Sequence, residues 1–164
     1  MTALSEPASL TAEDITRFGP DPLAMFSRNL ASVEERIVRA CARAGRARET
    51  VRLLPITKTV PAHILRFAYA AGIRDFGENK IQEAVAKRAE LADLAIDWCI
   101  VGHLQTNKVK YLTRFAREFH ALDSVRLAET LNARLDREDR SLDVYVQVNT
   151  SAEESKYGLQ PDEL

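Results

Sequence analysis

The chain has 164 residues, long enough for one domain with a substantial core and short for two. Apolar residues make up 46% and charged residues 29%, which is the profile of a globular protein and excludes a disordered or membrane-embedded one. The formal net charge is −1 with acidic and basic residues interleaved, so nothing marks the chain for nucleic acid or an anionic membrane surface.

Residues 1–20 carry Glu6, Glu13 and Asp14 and no apolar h-region. They read as a mobile tail and not as a signal peptide, with residues 21–164 as one domain. No apolar run approaches the length of a membrane span, and a cytoplasmic location follows as the expectation. Cys41 and Cys99 stand far apart, outside any C-x-x-C or metal-ligand spacing. They are expected as reduced, buried small hydrophobes, and no metal site is expected.

The first strong element opens at Asp21-Pro22, a capping residue followed by proline in the first helical position. Leu23, Phe26, Leu30, Val33, Ile37 and Cys41 recur at helical spacing until Gly45 stops the helix. The texture then repeats. Val51–Ile56 predicts a first strand, leading into Thr57-Lys58-Thr59 and a helix from Pro61 to Gly72. Ile73–Phe76 predicts a second, with a Gly77-Glu78-Asn79 turn and a helix carrying Ile81, Val85 and Leu91. Trp98–Val101 predicts a third, followed by Gly102–Lys108 and a helix with Leu112 and Phe115. Phe119–Leu122 predicts a fourth, with Asp123-Ser124 capping a helix of Leu127, Leu131 and Leu135. Val144–Val148 predicts a fifth, leading into Asn149. Pro55 deletes a ladder hydrogen bond from the first strand, and a bulge or strand end is expected there.

Short strands alternating with helices predict βαβ units and a parallel sheet. Five such units without a Gly-rich dinucleotide loop favour the wall of an α/β, TIM-type (β/α) barrel over an open Rossmann sheet. A closed barrel of this kind has eight units. The sequence therefore reads as the front part of a longer protein, and a chain ending at Leu164 is expected to self-associate along its open edges.

Each predicted strand exit carries polar chemistry: Thr57-Lys58, Glu78-Asn79, His103 with Gln105 and Asn107, Asp123-Ser124, and Asn149. In a parallel barrel these exits gather on one face, where the active sites of this architecture lie. Asn79, Asn107 and Ser124 all precede helices, so capping explains each of them equally well. Capping does not explain Lys58. A lysine partly desolvated at a barrel mouth has its pKa drawn down from about 10.4 toward neutrality, and a neutral amine forms a Schiff base with an aldehyde. The residues alone leave the aldehyde open, whether a cofactor or a sugar substrate of an aldolase.

Six motifs occur in one order: Leu53–Thr59 (LLPITKT), Phe76–Asn79 (FGEN), Gly102–Lys108 (GHLQTNK), Leu122–Ser124 (LDS), Gln147–Asn149 (QVN) and Ser155–Gly158 (SKYG). The series resembles that of the pyridoxal 5′-phosphate (PLP) homeostasis proteins, the YggS/PROSC family, whose fold is similar to the N-terminal barrel of alanine racemase. The resemblance runs from about Leu23 to Leu164. It implies that Lys58 bears PLP as a Schiff base and that Lys156 is a second lysine near the site. It further implies a cofactor-binding rim of Asn79, His103, Gln105, Ser124 and Asn149, with no catalytic residue assigned.

His103 replaces the proline frequent in the family's Gly-Pro-Leu-Gln motif. Val60 stands where the family commonly has a lysine. The family's phosphate-holding Ser/Thr, Gly and Arg residues come from the last strands of the barrel, beyond Leu164. The function implied is a carrier for intracellular PLP homeostasis, monomeric when complete, with PLP-dependent apoenzymes as recipients. The alternative is a PLP-dependent amino-acid racemase or decarboxylase.

Overall fold

The computed structural model describes residues 9–151, 153 and 155–163. They fall into two compact units: residues up to 54 with 59–74, and residues 55–58 with those from 75 onward.

In the first unit, helix α1 (Ala12–Phe18) opens on a capping box. The Thr11 hydroxyl accepts from the Asp14 N–H at 3.1 Å, and the Asp14 carboxylate accepts from the Thr11 N–H at 2.9 Å. The tail expected over residues 1–20 is therefore helical across 12–18, because a reciprocal cap satisfies two otherwise orphaned donors. The stretch Met1–Ala8 lies outside the described residues.

Helix α2 (Pro22–Arg43) begins as its sequence predicts, with the Asp21 carboxylate accepting from the Ala24 N–H at 2.9 Å and proline at N1. It packs on α3 (Ala62–Ala70). After α3 the chain turns at Gly72, whose φ of 104° lies in the region that glycine tolerates.

The second unit is built on a four-stranded parallel sheet: β1 (Asp75–Glu78), β2 (Asp97–Ile100), β3 (Glu118–Leu122) and β4 (Asp143–Val146). The spatial order β1-β2-β3-β4 follows the chain order, with parallel pairing throughout. Sequential order without a reversal is the arrangement of a barrel wall and not of a doubly wound sheet.

Ile100 and Phe119 are in register and face the helical side. There they join Ala121, α4 (Ile81–Glu90), the single turn α5 (Val109–Leu112) and α6 (Val125–Glu138) in one apolar cluster. Phe119 and Leu112 are fully buried in it. Alternation then turns Gly77, Cys99 and Glu118 to the opposite face.

Several expectations are corrected. Five strands become four, because the predicted strand Val51–Ile56 reduces to one parallel bridge, Ile56 to Gly77. Pro55 gives only its carbonyl, to the Gly77 N–H at 2.9 Å, and Thr57 donates its N–H to the Gly77 carbonyl at 2.8 Å. A residue without an N–H shortens the ladder. The second strand sits two residues later than predicted, so Gly77 and Glu78 belong to β1 and not to a turn. The fifth predicted strand, Val144–Val148, is β4 at Asp143–Val146. The helix expected through Leu112 and Phe115 is one α-turn after a 3-10 turn at Thr106–Lys108. In α4 Lys87 is buried along with Ile81 and Ala84, while Val85 is exposed.

Candidate functional site

Parallel pairing brings every strand exit to one edge of the sheet, where the sequence-predicted residues follow Ile56 and β1 to β4. Lys58 lies two residues beyond the Ile56 bridge. Its side chain is exposed, and the ε-amine has no ion-pair or hydrogen-bond partner among the described residues. Among the described residues nothing forms the desolvated mouth expected around it. Ile56 is the outermost paired residue on that side of the sheet and is itself 49% exposed.

The backbone beneath Lys58 is fixed by a buried polar network. The Thr57 hydroxyl donates to Glu78 Oε1 at 2.6 Å. The Lys87 ammonium donates to the Thr57 carbonyl at 2.9 Å and to the same Glu78 oxygen at 2.7 Å, and pairs with Glu83 at 2.8 Å. Those contacts use all three ammonium donors. Glu78 is wholly buried, Thr57 and Lys87 nearly so. The donors converge on Glu78 Oε1, while Glu78 Oε2 is buried without a hydrogen-bond partner, and a buried network of this kind holds one arrangement of its bonded members. It pins the peptide preceding Lys58.

The residue after Lys58 is constrained differently. Thr59 has φ of 64°, a conformation that a β-branched residue rarely adopts. The Arg17 guanidinium donates to its carbonyl at 2.7 Å and its hydroxyl at 2.9 Å. Lys58 thus stands between a network-locked threonine and a left-handed one, the kind of strain that collects at functional positions.

Around the rim the predicted residues divide. His103 Nδ1 lies 2.7 Å from the Asp123 carboxylate, and its ring stacks on Tyr157 with centroids 3.8 Å apart and planes 8° from parallel. The exits of β2 and β3 are thereby joined with the returning 155–159 segment. Asn149 is buried, donating to the Glu153 carbonyl at 3.0 Å and accepting from the Ser151 hydroxyl at 3.2 Å. Ser124 caps α6 through the Leu127 N–H at 3.3 Å. Gln105 precedes the Thr106–Lys108 turn without capping it. Lys156 is exposed, 4.0 Å from Glu153. Asn79 leads from β1 toward α4, and Gly102 is required beside it, since a Cβ at 102 would lie 2.2 Å from the Asn79 carbonyl oxygen.

Sequence reasoning collected Glu78 and Asp123 at strand exits and Tyr157 within the SKYG motif without giving them a role, and it missed Lys87. A signal existed for Lys87. It falls on the apolar stripe of α4 with Ile81 and Ala84, and a lysine there requires a buried carboxylate partner.

The alanine racemase N-terminal domain family matches residues 29–164. The chain is 42% identical over 142 residues to the pyridoxal phosphate homeostasis protein of Pseudomonas aeruginosa, covering 87% of this chain and 62% of that protein. It is 42% identical over 135 residues to the protein of that name from Aquifex aeolicus, covering 82% and 59%. It therefore spans about 60% of the length of these relatives. Among solved structures it is similar to PipY of Synechococcus elongatus. The form with PLP bound superposes with a TM-score of 0.66 at 35% identity, over 78% of this chain and 59% of that one. A protein of unknown function from Bifidobacterium adolescentis superposes over 96% of this chain and 65% of its own, with a TM-score of 0.78 at 30% identity. Sequential parallel strands, exits gathered on one edge and the family match agree: the chain, similar over most of its length to pyridoxal phosphate homeostasis proteins, belongs to the alanine racemase N-terminal domain family.

Proposed function

We propose that this chain carries the PLP-attaching part of a cofactor-binding protein that serves intracellular PLP homeostasis, with Lys58 as the residue of attachment. The observation that carries the reading is the state of Lys58: an exposed amine without an ion-pair partner among the described residues, at a strand exit, on a peptide locked by Thr57, Glu78 and Lys87. That PipY was solved with PLP bound supports the choice of ligand. PLP supplies an aldehyde and a phosphate when bound, and a primary amine held in place suits the aldehyde.

The rim residues have supporting parts in this reading. Asn79, Gln105 and Lys156 offer hydrogen-bonding groups toward the ligand. His103, oriented by Asp123 and Tyr157, forms one wall, while Ser124 and Asn149 make hydrogen bonds beside the segments that carry those two partners. The reading assigns no catalytic residue. It places the protein in the cytoplasm, with both cysteines outside any disulfide, and makes PLP-dependent apoenzymes its recipients. No helix among the described residues is long and apolar enough to cross a membrane.

A PLP titration of the protein and of Lys58→Ala, followed by absorbance and equilibrium dialysis, tests the proposal. The variant is expected to lose at least about tenfold in affinity, equivalent to about 1.4 kcal/mol. Unchanged affinity overturns it. Incubating the PLP-loaded protein with D- or L-alanine in deuterated water separates carrier from enzyme. Exchange at Cα with turnover would move the assignment to a racemase, since such exchange needs an acid–base group within reach of that proton.

A further inference from the structure

Cys99, Glu118 and His120 bring a thiol, a carboxylate and an imidazole together, and neither the rim nor the Lys58 anchor uses them. One ligand atom from each lies within 4.8 Å of the other two. Strand register creates the cluster. Cys99 of β2 is the direct partner of Glu118 on β3, and His120 follows two residues on, so the three share the face opposite the α4–α6 cluster. His120 Nε2 already lies 2.8 Å from Glu118 Oε2. Cys99 is completely buried, Glu118 is 3% exposed at its side chain, and His120 is 25% exposed, which leaves an approach through the imidazole. Tyr145 of β4 covers the imidazole at a centroid distance of 4.4 Å.

We propose that these three side chains form a binding site for one divalent transition-metal ion of the zinc class. Sulfur, nitrogen and oxygen donors in one cluster match the ligand set of tetrahedral zinc, with the fourth position left for water. Zinc–ligand bonds of about 2.0–2.3 Å place tetrahedral ligand atoms about 3.3–3.6 Å apart. The imidazole and carboxylate therefore separate slightly from their present contact, and the sulfur, no more than 4.8 Å from either, closes on the ion by small side-chain rotations. Binding releases the thiol proton to solvent, and the thiolate and carboxylate together balance the ion's two charges. A glutamate–histidine ion pair alone would account for two of the residues; the thiol in register beside them is what selects a soft or borderline metal over magnesium or calcium.

The experiment uses chelator-treated protein, without PLP, titrated with Zn²⁺, with Co²⁺ as a spectroscopic probe and with Mg²⁺. Expected are one equivalent of tightly bound zinc, a thiolate-to-cobalt charge-transfer band with tetrahedral visible bands, and no comparable magnesium binding. Cys99→Ser and His120→Gln should each weaken zinc by at least about tenfold, since even outer-shell partners are worth ~10–100-fold. Cys41→Ser and Lys58→Ala should leave binding and the cobalt band unchanged, which keeps this site distinct from the PLP reading. X-ray absorption of the zinc-loaded protein reads the ligands without any variant and should find one sulfur at about 2.3 Å with lighter atoms at about 2.0 Å. Substoichiometric zinc, an absorption spectrum without sulfur, equal magnesium affinity, or a cobalt band that survives Cys99→Ser would overturn the proposal.

Discussion

The Lys87 ammonium lies 2.7 Å from the Glu78 carboxylate, in a pair of which the lysine side chain is 7% exposed and the glutamate not at all. Removing one member leaves a buried charge uncompensated, a loss of roughly 3–5 kcal/mol. Lys87→Met also strips the Thr57 carbonyl of its donor. Replacing both members together, Glu78→Leu with Lys87→Met, removes the stranded charge and should cost clearly less than either single change. Urea denaturation of the three variants measures this. A single-variant loss below about 1 kcal/mol, or a double variant worse than both singles, would contradict it.

Asp14 predicts a pH dependence in the N-terminal unit. Its carboxyl is lowered from the usual 3.8 to about 2, first by the Thr11 hydroxyl, then by the Thr11 N–H and by His63, whose Nε2 is 2.9 Å away. A carboxyl with a depressed folded-state pKa contributes its stability in full above its unfolded pKa and loses it as pH falls through the folded one. Stability from this group should therefore be complete above pH 3.8 and disappear as pH approaches about 2. Asp14→Asn should flatten that part of the acid profile in denaturation midpoints taken across this window. An unaltered slope would show that the group does not titrate as described.

Gly102→Ala predicts a steric effect. The new methyl would stand 2.2 Å from the Asn79 carbonyl oxygen and 2.9 Å from its carbon, both backbone atoms that cannot rotate aside. Overpacking of this kind typically costs about 1–3 kcal/mol. It should also shift the β1 exit and weaken PLP binding together with stability. A variant as stable as the parent with unchanged PLP affinity would contradict the close approach.

Much of the fold was legible because its signals are local. Asp21-Pro22 and Ser124 announced α2 and α6 through capping chemistry, and short apolar runs located β2, β3 and β4. What escaped depends on contacts distant in sequence. Gly77 and Glu78 read as a turn, yet Glu78 lies inside β1 with Thr57 and Lys87 both bonded to its Oε1, and an added Cβ at Gly77 would meet Ile56 Cδ1 at 2.7 Å and the Pro55 carbonyl oxygen at 3.2 Å. Pro55 was recognised as a ladder breaker, but its effect was underestimated, since only the Ile56 bridge survives. The Thr11-x-x-Asp14 capping box was readable and was passed over as tail. At the site, Lys58 was found from its place after a strand, whereas the His103–Asp123–Tyr157 assembly required three loops to meet. Cys99 has no metal-ligand spacing along the chain, and only the register of β2 on β3 sets it beside Glu118 and His120.

The most direct measurement of the central claim is the position of the attached cofactor. The protein is incubated with PLP, reduced with borohydride and digested, and the modified peptide is identified by mass spectrometry. A primary amine fixed between Thr57 and Thr59 should outcompete freely moving surface lysines for the aldehyde, because positioning lowers the entropy lost on capture. The account predicts a label on Lys58 that disappears in Lys58→Ala. A label found mainly on Lys108 or Lys156, or one undiminished in Lys58→Ala, would contradict it.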